Sequence, residues 1–152
     1  MPLVTITDLP LTGVLLGVDP GKKAIGIAAC DAERIIVTPI YTINRGRKLA
    51  PALQALDEII QERECVGLVV GLPLNMDGSR GPSAQAAFAL THQILARRDL
   101  PTAMFDERLT TAQVERAMIA VDIRRDRRAD QIDAAAAALI LKSALNLLRN
   151  SH

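Results

Sequence analysis

Aromatic side chains are nearly missing from this 152-residue sequence: there is no tryptophan, and Tyr41, Phe88 and Phe105 are the whole set. So few rings cannot build the stacking platforms that bind single-stranded nucleic acid, so any nucleic acid must be held mainly through its backbone. Cysteine is equally scarce. Cys30 and Cys65 each fall in apolar segments and read as small buried hydrophobes. Long apolar runs are absent too, and the longest, Ala134 to Leu141, is far too short to span a bilayer. The first residues carry Asp8 and no basic stretch ahead of an apolar core, which argues against a secretory signal and for a cytoplasmic location. Finally, no charge sign dominates. With 18 Lys+Arg against 17 Asp+Glu the net charge is +1, which gives no global argument for a polyanionic partner.

What remains is ordinary for a globular chain: 49% hydrophobic and 23% charged residues, with no repeat and no low-complexity stretch. The length corresponds to one domain, large enough to bury roughly 70% of its unfolded surface. Charge is clustered locally instead. Arg124, Arg125, Arg127 and Arg128 crowd one segment, Arg45, Arg47 and Lys48 another, and Lys22 and Lys23 follow Asp19.

Hydrophobic patterning predicts an α/β fold. Residues 13–19 form a continuous apolar run, the mark of a strand covered on both faces. Turns by composition at 19–22 and 31–34 separate it from strands over 24–30 and 35–42, giving an antiparallel meander. The period then switches. Leu49, Leu53, Leu56, Ile59 and Ile60 carry helical spacing within 48–64, and a short buried strand is expected over 66–70. After the polar loop Asn75–Gly81, Pro82 suits the first turn of a helix reaching about Arg98. A strand over 102–105, a helix from the Thr110–Gln113 capping box to about Ala120, an arginine-rich connector over 122–129 and a last helix over about 130–149 complete the expectation. The sum is a mixed five-stranded sheet with helices on both faces and right-handed crossovers.

Three acidic positions fall where the chain changes element. Asp19 ends the first apolar strand, Glu107 with Asp106 beside it follows Met104-Phe105, and Asp133 opens the alanine-rich helix. Each has a plain structural reading. Asp19-Pro20-Gly21 is a good turn, Asp106-Glu107 is a solvated approach to a helix, and Asp133 is a dipole-favoured carboxylate at N3 behind an Asp130 N-cap. Jointly they say more. A carboxylate at the exit of a buried strand is costly unless something positive meets it, and several converging on one point suit Mg²⁺ or Mn²⁺.

The blocks Leu16–Gly21 with Ile25–Ala28, Gly71-Leu72-Pro73 with Asp77-Gly78-Ser79, Asp106–Thr111 and Ile132–Ala136 occur in that order, and four ordered blocks are far more specific than one Asp-x-Gly. The first resembles the opening strand and hairpin of ribonuclease H-like nucleases, and the set resembles the YqgF (RuvX) family. The resemblance covers nearly the whole chain, leaving residues 1–12 as an N-terminal extension. It implies a ribonuclease H-like fold and a carboxylate triad mapping onto Asp19, Glu107 and Asp133, with Asp106 and Asp130 close enough to be understudies. It also implies a two-metal phosphodiesterase, in which Asp19 bridges two ions and the products are a 5′-phosphate and a 3′-hydroxyl. No histidine base is needed, and His92 reads as a helix-surface residue.

The family is associated with processing of pre-16S rRNA and, historically, with resolution of Holliday junctions. The expected partner is therefore nucleic acid, with structured RNA in ribosome assembly favoured and four-way DNA the alternative, since symmetric junction cleavage needs a dimer and the chain shows no conspicuous dimer element. Substrate contacts are expected from Lys22, from Asn75, Ser79 and Arg80 beside a helix start, and from Arg124, Arg125, Arg127 and Arg128 as a phosphate clamp. The bland readings stand beside these: a surface loop of turn formers, and a solvated connector diluted by Asp122 and Asp126. Two other classes fit less well. An actin-like ATPase needs two such subdomains, and a non-catalytic nucleic-acid or transcription adaptor would work without Asp19.

Overall fold

The computed structural model describes residues 3–110 and 129–151, with backbone only over 129–133. Six strands form one mixed sheet: β1 (Leu3–Val4), β2 (Leu15–Pro20), β3 (Ala24–Cys30), β4 (Val37–Asn44), β5 (Gly67–Leu72) and β6 (Thr102–Asp106), in spatial order β1-β6-β5-β2-β3-β4. Strands β2, β3 and β4 are the expected antiparallel meander, and β5, β6 and β1 extend it in parallel from β2. Among the described residues three helices, α1 (Ala50–Glu62), α2 (Pro82–Arg97) and α3 (Ala129–Ser151), cover the faces.

The sixth strand corrects the expected five. Leu3 and Val4 pair with Thr102 and Ala103 at the sheet edge, a bridge too short to carry any periodicity in the sequence. Ile6 and Leu9, just beyond it, are buried in the core. The other elements fall within a few residues of expectation. Pro82 does open α2, and β4 lies two residues further on than its composition indicated. Pro39 occurs on β4 because that strand is an edge, where a missing N–H costs no ladder bond. Asp130 is not an N-cap: it lies inside α3, which already includes Ala129. Beyond Thr110, the helix expected from the Thr110–Gln113 capping box to about Ala120 and the arginine segment, with Arg124, Arg125, Arg127 and Arg128, lie outside the described residues.

Strand alternation divides the core. Leu16, Val18, Leu68 and Val70 point to α1 and α2, packing with Leu53, Leu56, Leu90 and Ile94. Leu15, Val69, Ala103 and Phe105 point the other way, to Leu141, Leu145 and Leu148 of α3. Between them Gly17 lets α3 come close. A Cβ at that position would lie 2.8 Å from the Ala137 carbonyl oxygen and 2.8 Å from Leu141 Cβ. The alanine run of α3 fits the same contact, with Ala135, Ala137 and Ala138 packed against Ala28 of β3. Cys30 and Cys65 are both buried and free, as their apolar settings suggested.

Candidate nucleic-acid active site

The carboxyl ends of β2, β5 and β6 lie side by side, and two of the three flagged acids are there. Val18 pairs with Val70, the last pair of the parallel register, so Asp19 and Gly71 follow it at the same end of their two strands. Asp19 is two residues beyond Gly17 and therefore shares its face, the one covered by α3. Gly71 follows Val69 by two and shares that face as well.

Glu107 arrives from the neighbouring strand. β6 ends at Asp106, and Glu107 begins the 3-10 turn Glu107–Leu109. Its carboxylate folds back over Gly71, where a Cβ would lie 2.7 Å from Glu107 Oε2. Only a glycine leaves room for it. Burial, and secondarily the charge of Asp106, push the Glu107 carboxyl above its ordinary range. Asp19 and Glu107 thus lie at the same end of the sheet and towards the same face, with Glu107 over the Gly71 gap. Asp133 belongs to α3, one turn before Ala137, whose carbonyl lies against Gly17. α3 packs with Ala137 and Leu141 on Gly17 and with Leu145 near Leu15, so it runs opposite to β2 and its first turns approach the Asp19 end.

Asp106 is a different matter. Alternation sends it to the opposite side from Phe105, and Arg108 takes both of its oxygens: Nε to Oδ1 at 3.0 Å and Nη2 to Oδ2 at 2.7 Å. The Arg108 backbone N–H also donates to Oδ1. These bonds hold the Asp106 carboxyl below the usual carboxylate range. The two adjacent acids therefore occupy unlike settings, one ion-paired and one half-buried over Gly71.

The expected contact residues are distributed more widely. Lys22 is exposed in the β2–β3 turn just past Asp19, and Arg45 Nη1 donates to the Gly21 carbonyl at 2.9 Å, bringing basic residues of two segments to this end of the sheet. Asn75 and Ser79 bond to each other at 2.9 Å, and Ser79 Oγ donates to Asp77 at 2.6 Å, so both side chains organise their own loop. Arg80 stacks 4.3 Å over the Phe88 ring, in a groove shared with Leu3 and His92 towards the β1 edge. His92 is exposed, as its helical position indicated. Gly71 and Arg108 fall within the sequence blocks, but their order in the chain assigns neither a part in placing the acids. A glycine ending a buried strand was the available signal, because it often marks close approach by another group.

A mixed sheet with a three-strand meander, helices on both faces and acids at adjoining strand ends defines a ribonuclease H-like domain of the RuvC type. Two solved structures share the architecture. Thermus thermophilus RuvC in complex with a Holliday junction substrate superposes with a TM-score of 0.60 at 13% identity, covering 91% of this chain and 97% of that one. The yeast mitochondrial Holliday junction resolvase Ydc2 gives 0.56 at 14% identity, over 96% and 86%. The family profile described as "RuvX: Holliday junction resolvase" matches residues 13–147, and the chain belongs to that family. A relative from Acidiphilium cryptum named "Putative pre-16S rRNA nuclease" is 47% identical over 97% of this chain and 96% of its own. A Paracoccus denitrificans relative of the same name is 47% identical over 93% of this chain and 89% of its own.

Proposed function

We propose that this chain is a metal-dependent phosphodiesterase of the cytoplasm that trims the 5′ side of a 16S rRNA precursor, with Asp19, Glu107 and Asp133 as its catalytic carboxylates. The enzyme class comes from homology: relatives matching nearly end to end are named nucleases, which makes the chain a hydrolase. The observation that carries the mechanism is the Glu107 carboxylate lying over Gly71, at the same end of the sheet as Asp19. Among the described residues no side chain or backbone N–H donates to that carboxylate, and it is half-buried. An all-oxygen donor set of this kind fits Mg²⁺ or Mn²⁺, and a divalent ion offsets the repulsion.

Asp19 and Glu107, joined by Asp133 from α3, would hold the ions. When bound, they supply Lewis acidity and make water a competent nucleophile near neutral pH. The chain's own contribution is placement. β2 and the Glu107 turn fix the carboxylates, and the α3 face excludes bulk water from behind them. Lys22 and the α2 N-terminus, which follows the Asn75–Ser79 loop, offer contacts for phosphates. Arg80, Asn75 and Ser79 act through that loop, and the charge of Arg124, Arg125, Arg127 and Arg128 suits further phosphate contacts. Buried, unpaired thiols fit a reducing compartment. Among the described residues no helix is long and apolar enough to cross a membrane.

The family's description favours a second substrate, the four-way DNA junction. Both are tested by cleavage of end-labelled rRNA precursor, single-stranded RNA and a four-way junction with Mg²⁺ or Mn²⁺. Asp19→Asn protein purified in parallel is the control. Metal-dependent cutting of the precursor, lost in Asp19→Asn, is the expected result. Cutting of the junction alone would move the assignment to DNA. Silence on all three would favour the non-catalytic adaptor.

A further inference from the structure

Arg108 joins three things that the sequence keeps apart. Its Nε and Nη2 engage Asp106 at the end of β6, and its Nη1 donates to the Met76 carbonyl at 3.2 Å. The guanidinium also lies against Gly78, where a Cβ would meet Nη1 at 3.5 Å and Nη2 at 3.6 Å. Gly78 has φ +87°, so the loop turns there in a conformation that other residues resist, and it turns against this side chain. The rest of the loop closes on itself: the Asn75 N–H donates to the Ser79 carbonyl at 3.0 Å and the Gly78 N–H to the Asn75 carbonyl at 2.8 Å. Arg108 is the bond between this small closed loop and the strand end that carries Glu107.

We propose that Arg108 is a positioning residue: through Asp106, on the side of β6 away from Glu107, it clamps the Asn75–Ser79 loop to the strand end. This rests on the nuclease reading above and assigns a role within it. The chemistry requires an arginine. One planar fork satisfies both Asp106 oxygens and still has an N–H for the Met76 carbonyl, whereas a lysine ammonium has no such fixed geometry. As an exposed ion pair the contact is worth little to overall stability. Its effect is local, on where the loop meets substrate.

The test uses the full chain and three readouts: amide hydrogen exchange at Asn75 and Gly78, Mn²⁺ binding followed by electron paramagnetic resonance, and steady-state cleavage. Arg108→Ala is expected to speed exchange at those two amides about tenfold with the melting temperature little changed. It should raise KM about tenfold, with a smaller fall in kcat. Arg108→Lys should restore only part of either effect. Asp106→Asn should keep Mn²⁺ binding, which Glu107→Gln should lose. The proposal is overturned if Arg108→Ala leaves exchange and KM at wild-type values, or if Asp106→Asn loses Mn²⁺ as Glu107→Gln does. Should the wild type cleave nothing, the nuclease reading fails, while the exchange and Mn²⁺ measurements still decide the clamp.

Discussion

Glu107 occupies the space that a side chain at Gly71 would fill: a Cβ built there would lie 2.7 Å from Glu107 Oε2 and 2.5 Å from Ile140 Cδ1. The carboxylate can yield by swinging away, but Ile140 is packed in the α3 core. Gly71→Ala is therefore expected to displace Glu107 and to overpack the core, costing about 1–3 kcal/mol of stability. Mn²⁺ affinity should drop by about 10–100-fold, the usual effect of disturbing the support of a ligand. Calorimetric titration alongside a melting curve checks both, and unchanged Mn²⁺ affinity would show that the glycine gap is not needed.

Gly17 has less freedom than Gly71, since its Cβ would meet the Ala137 backbone oxygen and Leu141 Cβ, each at 2.8 Å. Neither neighbour can move without shifting α3. Gly17→Ala should destabilise the protein by about 1–3 kcal/mol, read from the urea midpoint. Because the same helix carries Asp133, cleavage should fall further than stability alone predicts. A fully active, fully stable variant would disprove the close approach.

Arg34 ties the N-terminal segment to the body. Its Nε donates to the Gly13 carbonyl at 2.7 Å and its Nη2 to the Pro10 carbonyl at 2.6 Å, while its own carbonyl accepts from Arg149. It does so from a left-handed backbone conformation, φ 64°. Replacing it with alanine should cost about 2–3 kcal/mol, the scale for lost charged hydrogen bonds, and should expose residues 10–13 to protease. A wild-type urea midpoint in Arg34→Ala would count against this tie.

The buried thiols give a pH dependence with a definite sign. Burial pushes the Cys65 thiol up from 9.0 to about 11 and raises Cys30 as well. A proton held more tightly in the folded state contributes stability that is intact below pH 9 and lost as pH rises to about 11. Melting temperature should fall across that window, and Cys65→Ala should flatten part of the fall. Native protein should also resist thiol-labelling reagents until unfolded. Rapid labelling at neutral pH would contradict the burial.

Strand and helix identity was largely legible because it depends on local pattern. Leu15–Val18 is apolar at every position because both faces of β2 are covered, and Pro82 marks the α2 start because its ring suits a first helical turn. Leu3–Val4 was not legible, since two residues carry no period and gain their strand state only by pairing with β6. Asp130 was misplaced as a cap because backbone hydrogen bonding, not residue type, sets where a helix includes its first residues.

The sequence by itself determined the class of fold, the family and the three acids worth examining, because buried strands and their polar ends leave a local record in residue order. Asp106 and Glu107 are neighbours with the same charge, and nothing in their order separates them. The tertiary structure separated them: strand alternation turned Asp106 to Arg108 and the loop, and the 3-10 turn carried Glu107 back over Gly71. That choice depends on Gly71, Met76 and Gly78, which lie some thirty residues earlier. Contacts made across the sheet decide it, and only folding brings them together.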